Sequence, residues 1–201
     1  MKVMFISAHP DDIELGAGGT LIKHIRRGDQ VFYVVLSRGE KGGDPVARER
    51  EVLEIIDYLG IKIFKLCDYP DTLLNTKFND IKDELEQLIR EYGPVRIYTH
   101  SLNDTHQDHR AVAEAVKVAG RRIPQILSFW SPHMYNNFNP NYFIDITDVF
   151  MEKIKLLEKY KSQGHKDYLK REIIKGINKY FGFISGVDYA EGFEIVRYRE
   201  I

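Results

Sequence analysis

Short β-branched apolar runs alternate with longer amphipathic stretches along most of this chain, and no other feature restricts its fold so much. Strands separated by helix-length connections pair in parallel through crossovers, whereas hairpins would need turns of a few residues. Residues 3–7 read as a strand. Residues 15–27 follow as a helix with Leu21, Ile22 and Ile25 on one face and Gly28 as its stop, and residues 31–36 form a second buried strand. The unit then repeats. A helix is expected over 48–59, ended by Gly60, and a strand over 61–66. A helix follows over 78–92, closed by Gly93-Pro94, and then a strand over 95–99. A polar loop at 100–108 leads to a helix over 110–118 and a fifth strand over 126–130.

Right-handed crossovers assemble such units into a doubly wound, Rossmann-like α/β fold, a mostly parallel sheet with helices on both faces. Residues 131–140, rich in Asn, Pro and aromatics, read as a surface loop or site wall. The tail reads as helices over 148–161 and 168–180 and a last strand over 194–198, covering the sheet and leaving residues 1–201 as a single domain.

Composition narrows the function classes. Twenty-nine Lys+Arg against thirty Asp+Glu give a formal charge of -1, without the broad cationic footprint of nucleic-acid binders. The first apolar run ends at His9-Pro10, too short for a membrane span, and the one cysteine, Cys67, has no disulfide partner within the chain. A cytoplasmic protein bound to neither membrane nor nucleic acid is expected. Aromatics in the 130s and the late helices suggest a homo-oligomer.

Ligands of doubly wound sheets collect beyond the carboxyl ends of the strands. Two clusters are placed there: Ala8-His9-Pro10-Asp11-Asp12-Ile13-Glu14 after the first strand and His106-Gln107-Asp108-His109 after the fourth. His9, Asp12 and His109 offer two imidazoles and a carboxylate, a metal-ligand set that leaves a position open for water. Asp11 is then placed to take a proton from that water, and His106, oriented by Asp108, to steady or protonate the far side of a tetrahedral intermediate. The same three ligands suit the iron(II) oxygenase triad, but Asp11 and His106 favour hydrolysis. Against this stands a purely structural account, in which the carboxylates cap the following helix. Gly16-Ala17-Gly18-Gly19-Thr20 fails the dinucleotide fingerprint because Leu21 occupies its last glycine position, so close packing of the helix is expected there.

The segments AHPDDIELGAGGT and THQDHRAVAEA closely resemble the two metal motifs of the LmbE-like, or PIG-L, family of metal-dependent N-acetylglucosamine de-N-acetylases. Ser37-Arg38-Gly39-Glu40, Arg48-x-x-Glu51, Tyr69-Pro70-Asp71, Lys159-Tyr160-Lys161-Ser162-Gln163 and Tyr189-Ala190-Glu191-Gly192-Phe193 fall in the family's order, although many relatives have His where Tyr160 stands. The resemblance implies Zn2+, or iron(II) or another divalent ion, on His9, Asp12 and His109. It implies Asp11 as base and His106 as electrostatic or acid partner. Glu40, Arg48 and Asp71 then correspond to positions that face or support the sugar. The implied activity is removal of acetate from an N-acetylated amino sugar. A metal amidase for a non-sugar N-acyl compound, or a nucleotide- or sugar-binding protein without turnover, stays open at this point.

Overall fold

A computed structural model describes residues 1–200. Seven strands form one sheet in the order β3-β2-β1-β4-β5-β7-β6. They are β1 (Lys2–Ser7), β2 (Gln30–Val35), β3 (Ile63–Leu66), β4 (Arg96–Thr99), β5 (Gln125–Phe129), β6 (Tyr142–Asp145) and β7 (Ala190–Tyr198). The first five pair in parallel, as the alternating pattern requires. Six helices accompany them: α1 (Asp12–Arg26), α2 (Pro45–Leu59), α3 (Phe78–Tyr92), α4 (Gln107–Ala119), α5 (Phe150–Leu157) and α6 (Arg171–Ser185).

The continuous apolar run of β1 is explained by burial on both sides. Val3 and Phe5 face a core built with α1, α2 and α5, while Met4 and Ile6 face a second core built with α3 and α4. Helix boundaries follow local chemistry. The Asp44 carboxylate accepts from the Val46 N–H ahead of α2, Pro45 occupies its first position, and Gly60 at φ 65° ends it. The glycines of α1 serve packing. A Cβ on Gly16 would lie 2.5 Å from Phe129 Cδ2 and 2.6 Å from the Trp130 carbonyl oxygen, and one on Gly19 would lie 2.7 Å from Ile146 Cγ2.

The tail departs from the sequence expectation. Residues 142–145 form β6, a short half-buried strand that follows the 130s loop with no helix between it and β5. β7 begins at Ala190 and pairs antiparallel with both β5 and β6, so the tail extends the sheet as well as covering it. α5 stops at Leu157, because the chain turns to bury the Tyr160 ring and continues as short 3-10 turns at Lys161–Gln163 and Asp167–Leu169. α6 therefore starts at Arg171 and runs on to Ser185. Among the described residues no helix is long and apolar enough to cross a membrane.

Strand order reverses between β1 and β4, which are direct neighbours. Their carboxyl ends carry the two predicted clusters into one crevice.

Candidate active site

The turn after β1 sets the site. Asp11 precedes α1 in the left-handed region, φ 87°, an uncommon conformation for a residue with a side chain, and its carboxylate makes no capping hydrogen bond. The capping account of these carboxylates therefore fails for Asp11. The turn leaves Asp12 facing back, with Oδ2 accepting the His9 N–H at 2.8 Å.

Around Asp12 three rings converge. His9 Nδ1 lies 3.3 Å from Oδ2, His109 Nε2 lies 3.4 Å from Oδ1, and His100 Nε2 lies 3.3 Å from Oδ2. The remaining nitrogens of the two predicted ligands face other carboxylates. His9 Nε2 is 3.0 Å from Asp71 and 3.2 Å from Asp108, and His109 Nδ1 is 2.7 Å from Asp104. A carboxylate behind each imidazole fixes the ring and leaves its opposite nitrogen free to ligate. Three buried or half-buried sets bring their ligand atoms within 4.8 Å of one another: His9/His106/His109, Asp12/His100/His109 and His9/Asp71/Asp108. The predicted ligands are distributed across the first two.

Charge balance points the same way. Burial alone would lower His9 and His109, yet the surrounding carboxylates raise His9 well above the usual range and His109 to about 9. Burial would raise Asp12, but His109 and His100 hold it well below the usual carboxylate range. Imidazoles and carboxylates in this balance are the donor types that a divalent ion takes in place of protons, although His9, Asp12 and His109 do not all fall within one of the three sets.

Asp11 stands apart from that balance. Burial pushes it up to about 7 against the pull of Arg48, and its Oδ2 has no hydrogen-bond partner. The guanidinium is 3.6 Å away, fixed by bonds to the carbonyls of Gly39 (2.7 Å) and Pro10 (2.8 Å). Behind it Glu14 accepts from the hydroxyls of Tyr33 and Tyr160, which gives the departure at Tyr160 a buried role.

His106 presents its ring to the same crevice, with its centroid 4.9 Å from that of His9. Its Nδ1 accepts the Asp108 backbone N–H at 3.2 Å, which puts the proton of the neutral ring on Nε2. Burial, then the charges of His109 and His9, push it down to about 4. The expected orientation of His106 by the Asp108 carboxylate is corrected here. That carboxylate accepts from the N–H groups of Thr72 (2.6 Å) and Leu74 (3.2 Å) and reaches His9. Asp108 orients His106 through its backbone and braces His9 with its side chain.

The three positions matched to sugar contacts are also occupied internally. Asp71 pairs with His9 and accepts the Lys41 N–H, Glu40 accepts the Asp71 N–H at 2.8 Å, and Arg48 is committed as above. Asp71 and Arg48 still line a cavity of about 310 Å3 over the cluster, which Glu40 does not. The opposite wall comes from Pro132, His133, Gln163, Lys166 and Tyr168. His133 belongs to the loop expected as a surface loop or site wall, and its ring lies 5.9 Å from that of Tyr168. His100 and Asp104 were missed. The only signal for them was the density of His and Asp in the loop after β4.

The family model PIG-L, described as GlcNAc-PI de-N-acetylase, matches residues 4–120. The uncharacterized deacetylase YaiS of Escherichia coli is 35% identical over 167 residues, covering 80% of this chain and 90% of the relative. Diacetylchitobiose deacetylase of Thermococcus kodakarensis is 31% identical over 224 residues, covering 97% and 83%. The solved N,N'-diacetylchitobiose deacetylase of Pyrococcus horikoshii, in complex with its inhibitor MPG, superposes with a TM-score of 0.84 at 27% identity, over 97% of this chain and 83% of that one. With its family match spanning more than half its length and both metal motifs folded into one crevice, the chain belongs to the PIG-L family of de-N-acetylases.

Proposed function

We propose that this chain is a metal-dependent N-deacetylase that hydrolyses the acetamide of an N-acetylglucosamine unit, with zinc held by His9, Asp12 and His109. When bound, a divalent ion there supplies Lewis acidity and lowers the pKa of a bound water toward neutrality. Asp11 takes the proton of the attacking water as its oxygen bonds to the acetamide carbonyl carbon. The His106 Nε2–H donates to the carbonyl oxygen as negative charge develops on it. Breakage of the C–N bond passes the Asp11 proton to the departing amine, and acetate and the free amino sugar leave.

The observation that carries this reading is Asp11 itself: a buried carboxylate whose Oδ2 has no hydrogen-bond partner and faces the Arg48 guanidinium, held in a strained turn beside the metal-ligand set. Such a group contributes nothing to the stability of the turn that a capping residue would not supply better. Its value lies in proton transfer near neutral pH. A cavity of about 310 Å3 is at the small end for ligand pockets, which supports one sugar unit inside with any second unit at the mouth. The diacetylchitobiose deacetylases among the relatives support the same substrate class. A cytoplasmic location is part of the reading, supported by the lone buried thiol of Cys67.

The test is acetate release from N-acetylglucosamine, diacetylchitobiose and N-acetylglucosaminyl conjugates, before and after chelation and with zinc, iron(II) or cobalt(II) restored. Release from a sugar substrate that chelation abolishes and zinc restores is expected. Release confined to N-acyl amino acids, or turnover indifferent to chelation, would overturn it.

A further inference from the structure

Asp104, in the loop between β4 and α4, is fully buried, and its carboxylate gathers three donors. Oδ1 accepts the His106 backbone N–H at 2.8 Å. Oδ2 accepts His109 Nδ1–H at 2.7 Å and the Ser131 hydroxyl at 2.6 Å. The Ser131 oxygen in turn accepts the His133 N–H at 3.2 Å. One hydrogen-bonded line therefore runs from a metal-ligating imidazole through Asp104 and Ser131 to the backbone of a residue in the cavity wall.

We propose that Asp104 and Ser131 form a positioning pair that holds His109 and the cavity wall at Pro132 and His133 in a single register, so that the metal site and the sugar wall are set together. This rests on the metal reading given above. All three partners of Asp104 donate, and a carboxylate offers only acceptors, so the fit is chemical as well as spatial. Asparagine cannot substitute: whichever way its amide is turned, an NH2 faces either the His106 N–H or the His109 and Ser131 donors. With the Nδ1 proton of His109 held by Asp104, Nε2 is the nitrogen that faces Asp12 and is left to ligate. Ser131 adds nothing to the metal ligands directly. Its effect on them travels through Asp104.

A second link between the same loops provides a control. Asn137 Nδ2 donates to Asn103 Oδ1 at 2.9 Å, an exposed bond that joins the 130s loop to the loop after β4 without involving Asp104.

Zinc affinity of the full chain, measured by chelator competition, is compared for wild type, Asp104→Asn, Ser131→Ala, the double variant and Asn137→Ala, with KM and kcat on the best substrate alongside. Asp104→Asn is expected to weaken zinc about 10- to 100-fold. Ser131→Ala weakens it by about threefold or more, as part of the same line, and raises KM more than it lowers kcat. Adding Ser131→Ala to Asp104→Asn changes zinc affinity no further, and Asn137→Ala leaves it unchanged. Wild-type zinc affinity in Asp104→Asn, multiplicative losses in the double variant, or an Asn137→Ala variant that matches Ser131→Ala would overturn the proposal. Where Asp104→Asn does not fold, the contrast between Ser131→Ala and Asn137→Ala decides. Absence of deacetylation in wild type would refute the proposed function, while the zinc comparison would still judge the positioning pair.

Discussion

Replacing Arg48 by methionine should move the acid limb of the pH–rate profile upward, because the guanidinium lies against the Asp11 carboxylate. Arg48 is 4% exposed and sits 3.6 Å from Asp11 Oδ2. At that separation an effective dielectric of about 20 gives an interaction of about 4–5 kcal/mol. At about 1.4 kcal/mol per unit, the ceiling on the shift is about 3 pH units, and water entering the vacated space brings the expected value to about 1–2. The sign follows from the role: Asp11 must be ionised to accept a proton, and losing a neighbouring cation favours its neutral form. Activity below the limb should therefore drop about 10- to 100-fold and recover on a plateau at higher pH. The bound ion lowers the Asp11 pKa in wild type and variant alike, so the displacement between them survives metal loading. The assay is acetate release with zinc saturating, from pH 5 to 10, for wild type, Arg48→Met and Arg48→Lys. The lysine variant retains the charge and should keep a limb near that of wild type. A limb that stays in place while KM rises at every pH would refute the argument and return Arg48 to the sugar.

Other residues give independent tests. Asp11→Asn should retain zinc and lose about 10²- to 10⁴-fold in kcat, whereas His109→Ala should lose both metal and turnover; metal analysis beside steady-state kinetics reads the difference. Gly16→Ala should cost about 1–3 kcal/mol in urea unfolding, since the added carbon meets the Trp130 carbonyl, a backbone atom that cannot swing aside; a wild-type midpoint would contradict that packing. His24, wedged by burial against Asp29 and Tyr98, is pushed down to about 4. The unfolded chain therefore takes up a proton that the folded chain refuses as pH falls from about 6.5 to 4, and stability present above that window is lost within it. His24→Gln should remove up to about 2 kcal/mol of the fall between pH 7 and 5, and equal slopes in denaturation at the two pH values would count against it.

The central sheet was legible because β1 and β2 are buried on both faces and are apolar over residues 3–6 and 31–35, while Gly28, Gly60 and Gly93 mark where helices stop in left-handed turns. β6 was not, since its three apolar residues follow an irregular loop and no helix separates it from β5. The His9 and His106–His109 clusters were visible as motifs, and strand order explains why they meet. What sequence spacing does not encode is which atom of a side chain faces which neighbour. Asp108 illustrates this: its place beside His106 in the chain suggested a partnership with that ring, but the helical turn points its carboxylate at His9 and at the backbone of residues 72 and 74. Asp71 likewise matched a sugar-facing position, and one of its oxygens meets His9 while the other accepts the Lys41 N–H. Asp104 escaped notice because its partner Ser131 lies 27 residues away and reaches it only where β5 emerges next to β4, and a spacing of five residues does not show that its carboxylate meets His109.

Anomalous diffraction from crystals of the chelated protein soaked in one equivalent of zinc tests the site most directly. A single peak bounded by His9 Nδ1, an Asp12 carboxylate oxygen and His109 Nε2, next to the Asp11 carboxylate, is the predicted result. A peak in the His9, Asp71 and Asp108 cluster instead, or zinc bound only at the surface, would contradict it.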